Sequence, residues 1–279
     1  MNKKKWIKNI LTLFFLAVFI YAAVNLFLIW QEYRQGEALY DAAQGEFLTA
    51  PEMELEFESD EPITWPTFTI DFGHLQDVNN EVLGWIWIYD TVVNYPVVQS
   101  GINNDAYLYK TYDGSSNSSG SIFMDYRNDG AFADTNTVIY GHNMKNGKMF
   151  AVLKKFGQQE FYDGHEEFYI MTPEGNRRYE IVSAFHTDAL SDIYDRTFSS
   201  DQAKQAWLDK VLRNSAVLST ASAGIDDSFV TLSTCVSGDN YRARFVVIGR
   251  LAEIEPVYTE ESVADPAGEA VVDTETSMQ

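Results

Sequence analysis

The stretch Ser228-Phe229-Val230-Thr231-Leu232-Ser233-Thr234-Cys235, answered by Ala243-Arg244-Phe245-Val246-Val247-Ile248-Gly249-Arg250-Leu251, decides how the chain is read. The first run is rich in β-branched residues and reads as a strand. Turn residues follow in Ser237-Gly238-Asp239-Asn240, and the second run reads as the returning strand. Cys235 then sits at the mouth of a hairpin, with Arg244 near the start of the strand that comes back. It is the only cysteine in 279 residues, so no intramolecular disulfide can form. A lone cysteine is most often a small buried hydrophobe. Facing a guanidinium across a hairpin mouth, it is also a candidate reactive thiol.

Toward the N-terminus, Lys3, Lys4, Lys5 and Lys8 precede an apolar run over 10–30, broken only by Thr12 and Asn25. At 1.5 Å per residue the run spans about 30 Å, the thickness of a bilayer hydrocarbon core. A cleaved secretory signal has a shorter apolar region of roughly 7–15 residues and a small-residue cleavage site. Tyr21-Ala22-Ala23 is a poor match to such a site, and a buried core helix is the remaining alternative. The lysines lie on one side, whereas Glu32, Arg34 and Glu37 nearly cancel. The positive-inside rule therefore places the N-terminus in the cytoplasm and the rest outside a cell membrane. Residues 1–30 are expected to be a cytoplasmic stub and single-pass signal anchor.

Residues 31–67 read as a helix continuing to about Gln44, then an acidic linker containing Glu52, Glu54, Glu56, Glu58, Asp60 and Glu61. Residues 253–279 carry acids but no Lys or Arg, and read as a disordered acidic tail. The formal net charge of −21 excludes a nucleic-acid partner, which needs a basic footprint.

Between these segments, 68–252 is the globular domain. Short strand-like runs over 82–88, 92–98, 121–125, 136–140, 167–171 and 178–185 precede the Cys235 hairpin. The clearest helix covers 200–212, with Ser199 or Ser200 as cap and Ala203, Trp207 and Val211 at helical spacing. The pattern predicts a mainly β (α+β) fold, a closed or nearly closed barrel with peripheral helices.

A cysteine nucleophile needs a base or cationic partner, because the thiolate is the reactive form. His74, in a short helix, and His165, in a polar turn, read as solvated; His186 is ambiguous. His142 ends a strand in Tyr140-Gly141-His142-Asn143, where Gly141 allows a sharp bend. Arg242 competes with Arg244, since the two share strand parity. Asp239 is a candidate orienter of the histidine.

These residues resemble the class B sortases. Thr231-Leu232-Ser233-Thr234-Cys235 is similar to the family's TLxTC signature, and Arg244-Phe245-Val246-Val247 to its arginine-bearing strand. Tyr140-Gly141-His142-Asn143 is similar to its histidine segment. Gly84-Trp85-Ile86-Trp87-Ile88, Asn94-Tyr95-Pro96-Val97-Val98-Gln99 and Gly120-Ser121-Ile122-Phe123-Met124-Asp125-Tyr126-Arg127 also look like class B segments. The helix over 200–212 resembles the class B insertion.

The resemblance implies an eight-stranded sortase β-barrel and a cysteine transpeptidase of the thiol-protease class, with catalytic His142, Cys235 and Arg244. It favours Arg244 over Arg242. It places Ile193 and Tyr194 at the sorting-motif pocket and Thr231, Ser233 and Thr234 along the substrate groove. It implies partners as well: surface proteins or pilins bearing a C-terminal sorting signal (NPxTN- or PxTG-like), and an acceptor amine on peptidoglycan precursor or pilin. No metal cluster is evident, and the resemblance implies no cofactor. Two readings compete: a membrane-anchored cysteine peptidase or amidase that hydrolyses cell-wall peptides, and an inert surface scaffold.

Overall fold

The structure, a computed structural model, describes residues 3–49, 65–236 and 241–256. Most of the acidic linker, residues 237–240 with the candidate orienter Asp239, and the tail from 257 lie outside the described residues.

Eight strands close into one barrel: β3 (Val82–Trp87), β4 (Asn94–Val98), β5 (Ile122–Met124), β6 (Asn136–Gly141), β7 (Glu167–Thr172), β8 (Gly175–Asp188), β9 (Phe229–Cys235) and β10 (Ala243–Pro256). Their order is β10-β8-β7-β3-β4-β5-β6-β9, and closure leaves no open sheet edge. Two neighbouring pairs are parallel, β4 with β5 and β6 with β9. This is the barrel that the sequence pattern predicts. A two-residue pair, β1 (Leu48–Thr49) with β2 (Thr69–Ile70), lies outside it. The helices are α1 (Lys3–Phe47), α2 (Phe72–Val78), a 3-10 helix (Phe150–Gly157), α3 (Gln159–Asp163), a second 3-10 helix (Asp192–Tyr194) and α4 (Asp201–Asn214).

Alternation along β10 separates two apolar layers. Phe245 and Val247 join the main core, whereas Val246 and Ile248 face the other way, toward Trp207, Leu208 and Val211 of α4. Ser200 caps α4, its Oγ accepting from the Ala203 N–H at 3.2 Å. Each buried large apolar side chain contributes roughly 1.5–3 kcal/mol, so this stripe, rather than helix propensity, holds α4 to the barrel.

Strand β10 runs on to Pro256 instead of ending near Leu251. Glu253, read from sequence as the start of a disordered tail, pairs across the ladder with Arg178, and their side chains lie 3.3 Å apart. The ladder satisfies the backbone where composition alone pointed to solvation.

Helix α1 is one uninterrupted element with two environments. From Trp6 to Trp30 its large apolar side chains are 45–72 % exposed, and this is the one described helix long and apolar enough to cross a membrane. Farther on, Tyr40, Ala43 and Phe47 are buried against the barrel and Tyr33 is half-buried. The packed domain thus recruits residues ahead of the boundary expected at 68.

Candidate active site

Three neighbouring strands deliver the candidate residues to one rim. In the parallel pair, Gly141 of β6 lies opposite Thr234 of β9, so the next residues along, His142 and Cys235, emerge beside each other. In the antiparallel pair, Cys235 lies opposite Arg244 of β10. Adjacent strands are about 4.8 Å apart, which brings imidazole, thiol and guanidinium within one side-chain reach. Thr234 Oγ1 donates to the Gly141 carbonyl at 2.8 Å, a direct tie between the residues preceding His142 and Cys235. Cys235 is a free, exposed thiol. All three candidates line a cleft of about 260 Å³, together with Asn104, Leu108, Tyr140, Tyr194, Ser233 and Thr234.

The surroundings of His142 fix its tautomer. Its Nε2 lies 2.7 Å from the Leu108 carbonyl oxygen. A carbonyl can only accept, so Nε2 carries a proton, and Nδ1 is the nitrogen that gains or loses one. The His142 carbonyl accepts from the Phe150 N–H at 2.9 Å. Gly141 acts differently from the sequence expectation, because it is not in the left-handed region. It provides room: a Cβ there would come within 2.7 Å of the Phe150 ring.

The other histidines stay away from the cleft. His74 sits 3.5 Å from Glu46, and the exposed His186 meets the edge of Phe245. His165, expected to be solvated, is half-buried and stacked on Phe161 with ring centroids 4.1 Å apart.

Parity left Arg242 and Arg244 equivalent; pairing separates them. Arg242 donates to Asp188 Oδ1 at 2.6 and 3.1 Å. Those hydrogen bonds hold the Asp188 carboxyl below its usual range. Arg244 lines the cleft, its Nη1 donating to the carbonyls of Tyr241 and Ala243 at 2.8 and 3.0 Å. One guanidinium edge is thereby steadied at the mouth.

The remaining sequence candidates divide. Tyr194 and Ser233 both face the cleft and share a 2.9 Å hydrogen bond between hydroxyls. Burial pushes the Tyr194 phenol up to about 12, so it is neutral in ordinary conditions. Thr231, expected along the substrate groove, and Ile193, expected at the sorting-motif pocket, do not reach the cleft, and both are fully buried. Thr231 Oγ1 donates to Asn136 Oδ1 at 2.8 Å, and Asn136 Nδ2 donates to the carbonyls of Ile193 (3.2 Å) and Asp195 (2.9 Å). Trp207 of α4 also donates to the Ile193 carbonyl. These contacts hold the turn that presents Tyr194. Their polar atoms are consumed internally, which is the physical reason they offer nothing to a ligand.

The sequence did not point to the network around Asp125. Asp125, wholly buried, accepts from Arg127 Nε and Nη2, both at 2.8 Å, from Asn104 Nδ2 at 2.9 Å and from Tyr140 Oη at 3.1 Å. Burial alone would raise its pKa, but the hydrogen bonds from Arg127 and Asn104 outweigh that and hold it at about 2. Two cleft-lining residues, Asn104 and Tyr140, therefore hang from one carboxylate.

Comparison with known proteins places the arrangement. The Sortase domain family model matches residues 87–252. Sortase B of Listeria monocytogenes is 31 % identical over 254 residues, covering 90 % of this chain and 99 % of that protein. The chain belongs to the class B sortases. Membership makes it a cysteine transpeptidase. Sortase B of Staphylococcus aureus is 34 % identical over 185 residues, 66 % of this chain and 75 % of that one. A crystal structure of sortase B from Bacillus anthracis superposes with a TM-score of 0.67 at 32 % identity, covering 80 % of this sortase and 99 % of that chain. A Staphylococcus aureus sortase B–substrate complex gives 0.63 at 31 %, covering 66 % and 85 %.

Proposed function

We propose that this sortase cuts a C-terminal sorting signal after threonine and transfers the new carboxyl end to an amine. The Cys235 thiolate attacks the peptide carbonyl; a C–S bond forms, the C–N bond breaks, and His142 gives the departing amine its proton. His142 then takes a proton from the incoming amine, whose attack on the thioester forms a new C–N bond and returns the thiolate. Arg244 donates hydrogen bonds to the substrate and to the oxyanion of each tetrahedral intermediate, where one good donor contributes roughly 10²–10³ in rate. Ser233, Thr234 and Tyr194 border the groove in which the signal lies.

The observation that carries this reading is the placement of Arg244 opposite Cys235 in the ladder, with His142 one strand away on the other side. A cysteine hydrolase more often sets Asn, Asp or a second His beside the thiol and the base, where this chain sets Arg244. The sortase B–substrate complex from Staphylococcus aureus supports a substrate site of the same kind.

In this reading α1 crosses the membrane once with its lysines in the cytoplasm, and the barrel works outside the cell. Donors are surface proteins or pilins bearing an NPxTN- or PxTG-like signal, and the acceptor is an amine of the cell wall or of a pilin. The test incubates the full chain with a panel of sorting peptides, with and without an amine. A ligated product that requires amine is expected. Cleavage that ignores the amine would replace the proposal with the peptidase or amidase reading.

A further inference from the structure

The segment supporting His142 is fastened from two directions, and one of them is the anchoring helix. On the barrel side, the Ser121 N–H donates to the Tyr107 carbonyl at 3.1 Å, and Ser121 Oγ donates to the Lys110 carbonyl at 2.8 Å. On the α1 side, Tyr40 is 4 % exposed, and its Oη donates to the Gly120 carbonyl at 2.5 Å. Gly120 has φ +58°, in the left-handed region that favours glycine. A Cβ on it would come within 2.5 Å of the Leu108 carbonyl oxygen and 3.0 Å of His142 Cδ2. Gly120 is thus packed against both the imidazole and the oxygen that the imidazole holds.

Earlier turns of the helix brace the same loop. The Ser118 N–H donates to Glu32 Oε1 at 2.9 Å, and Asn117 Nδ2 donates to the Glu32 carbonyl at 3.2 Å. Gly36 allows the close approach, since a Cβ there would meet Ser119 Oγ at 2.5 Å.

We propose that Tyr40 is a positioning residue: by holding Gly120, the membrane-anchoring helix fixes the Leu108 carbonyl and through it the tautomer and orientation of His142. The anchor and the acid–base group then form one mechanical unit, and α1 must be docked at least as far as Tyr40 for full activity. This rests on His142 being the acid–base group of the transpeptidation described above.

The test uses the full chain and three variants. Tyr40→Phe keeps the ring, which packs edge-on to Tyr95 at 5.2 Å, and removes only the hydroxyl. Glu32→Ala loosens the loop from its other end. Gln44→Ala removes a different α1–barrel hydrogen bond, from Gln44 Nε2 to the Asn94 carbonyl at 3.0 Å, and serves as control. Two readouts are compared: steady-state transpeptidation, and the pH dependence of Cys235 alkylation by iodoacetamide, which needs no substrate.

Tyr40→Phe should lower kcat roughly tenfold with KM within about twofold, and should move the alkylation inflection by roughly half a pH unit. Glu32→Ala should act in the same direction but less. Gln44→Ala should leave both readouts at the wild-type value. Tyr40→Phe tracking Gln44→Ala would overturn the proposal, as would a fall in kcat with an unmoved alkylation profile. If Tyr40→Phe does not fold, Glu32→Ala decides by the same criteria. Absence of any wild-type product would sink the transpeptidase reading, while the alkylation profiles would still decide the role of Tyr40.

Discussion

The two walls of the cleft are held by different kinds of bond. Cys235 and Arg244 stand on a strand pair whose register is set by seven consecutive partners, from Arg244 opposite Cys235 to Arg250 opposite Phe229. Asn104 and Leu108, which line the same cleft, lie in a loop that no such ladder fixes. Asn104 is placed by its hydrogen bond to Asp125, and Leu108 by its contact with His142 and by the neighbouring loop that α1 braces. The nucleophile and its guanidinium are fixed by regular backbone pairing. The proposed acid–base group, His142, leaves the end of the β6 ladder, but its ring is held by the Leu108 carbonyl on a loop that single substitutions can loosen. The contrast predicts that substitutions on the ladder wall remove a chemical role cleanly, whereas substitutions on the loop wall trade activity against stability.

The largest effect belongs to the nucleophile. Cys235→Ala should abolish covalent capture and product outright while leaving the melting curve close to wild type, as followed by intact mass and thermal denaturation. His142→Gln should lower kcat roughly 10²–10⁴-fold, the range for general acid–base groups, measured in the amine-dependent assay. Arg244→Gln should cost roughly 10²–10³ in kcat/KM, with Cys235 still reactive toward iodoacetamide. Loss of alkylation in that variant would show that Arg244 sustains the thiolate rather than the oxyanion.

On the loop wall, Asp125→Asn tests the network. A folded-state pKa of about 2 against an ordinary carboxylate value of 3.8 corresponds to roughly 2 kcal/mol of stability. Because the folded value is the lower one, this contribution is fully present above about pH 4 and is lost as pH falls through about 2. The variant should be roughly 2 kcal/mol less stable at neutral pH, with a shallower loss of stability between those values in urea titrations. A variant as acid-sensitive as wild type would show that Asp125 is not the group responsible. Arg242→Gln should have the smallest effect, below about twofold in kcat/KM, because its ion pair with Asp188 is half-exposed and lies outside the cleft. An effect comparable with that of Arg244→Gln would erase the distinction between the two arginines.

The ladder wall was legible in the sequence because it is local. β-branched runs, a turn and strand parity place Cys235 and Arg244 at one hairpin mouth without reference to the rest of the fold, and the cap at Ser200 marks α4 in the same way. The loop wall was not legible, since Asp125 gathers partners from 104, 127 and 140, and no periodicity signals such a convergence. Thr231 and Ile193 were misplaced for a related reason: a motif position does not reveal whether its polar atoms are already consumed by Asn136.

The docking of α1 left a trace that acidic composition obscured. Tyr33, Gly36, Tyr40, Ala43 and Phe47 follow alternating spacings of three and four, the seam of a helix packed along one side. That seam lies within a stretch whose charge argues for solvation.

The central claim is that Cys235, set between His142 and Arg244, forms an acyl-enzyme that an amine resolves. Intact-mass spectrometry of the full chain, mixed with a sorting peptide and then chased with amine, tests it most directly. The account predicts a mass increase equal to the acyl fragment ending in threonine, absent from Cys235→Ala and discharged when amine is added. No adduct with any peptide, or an adduct that persists in Cys235→Ala, would contradict it.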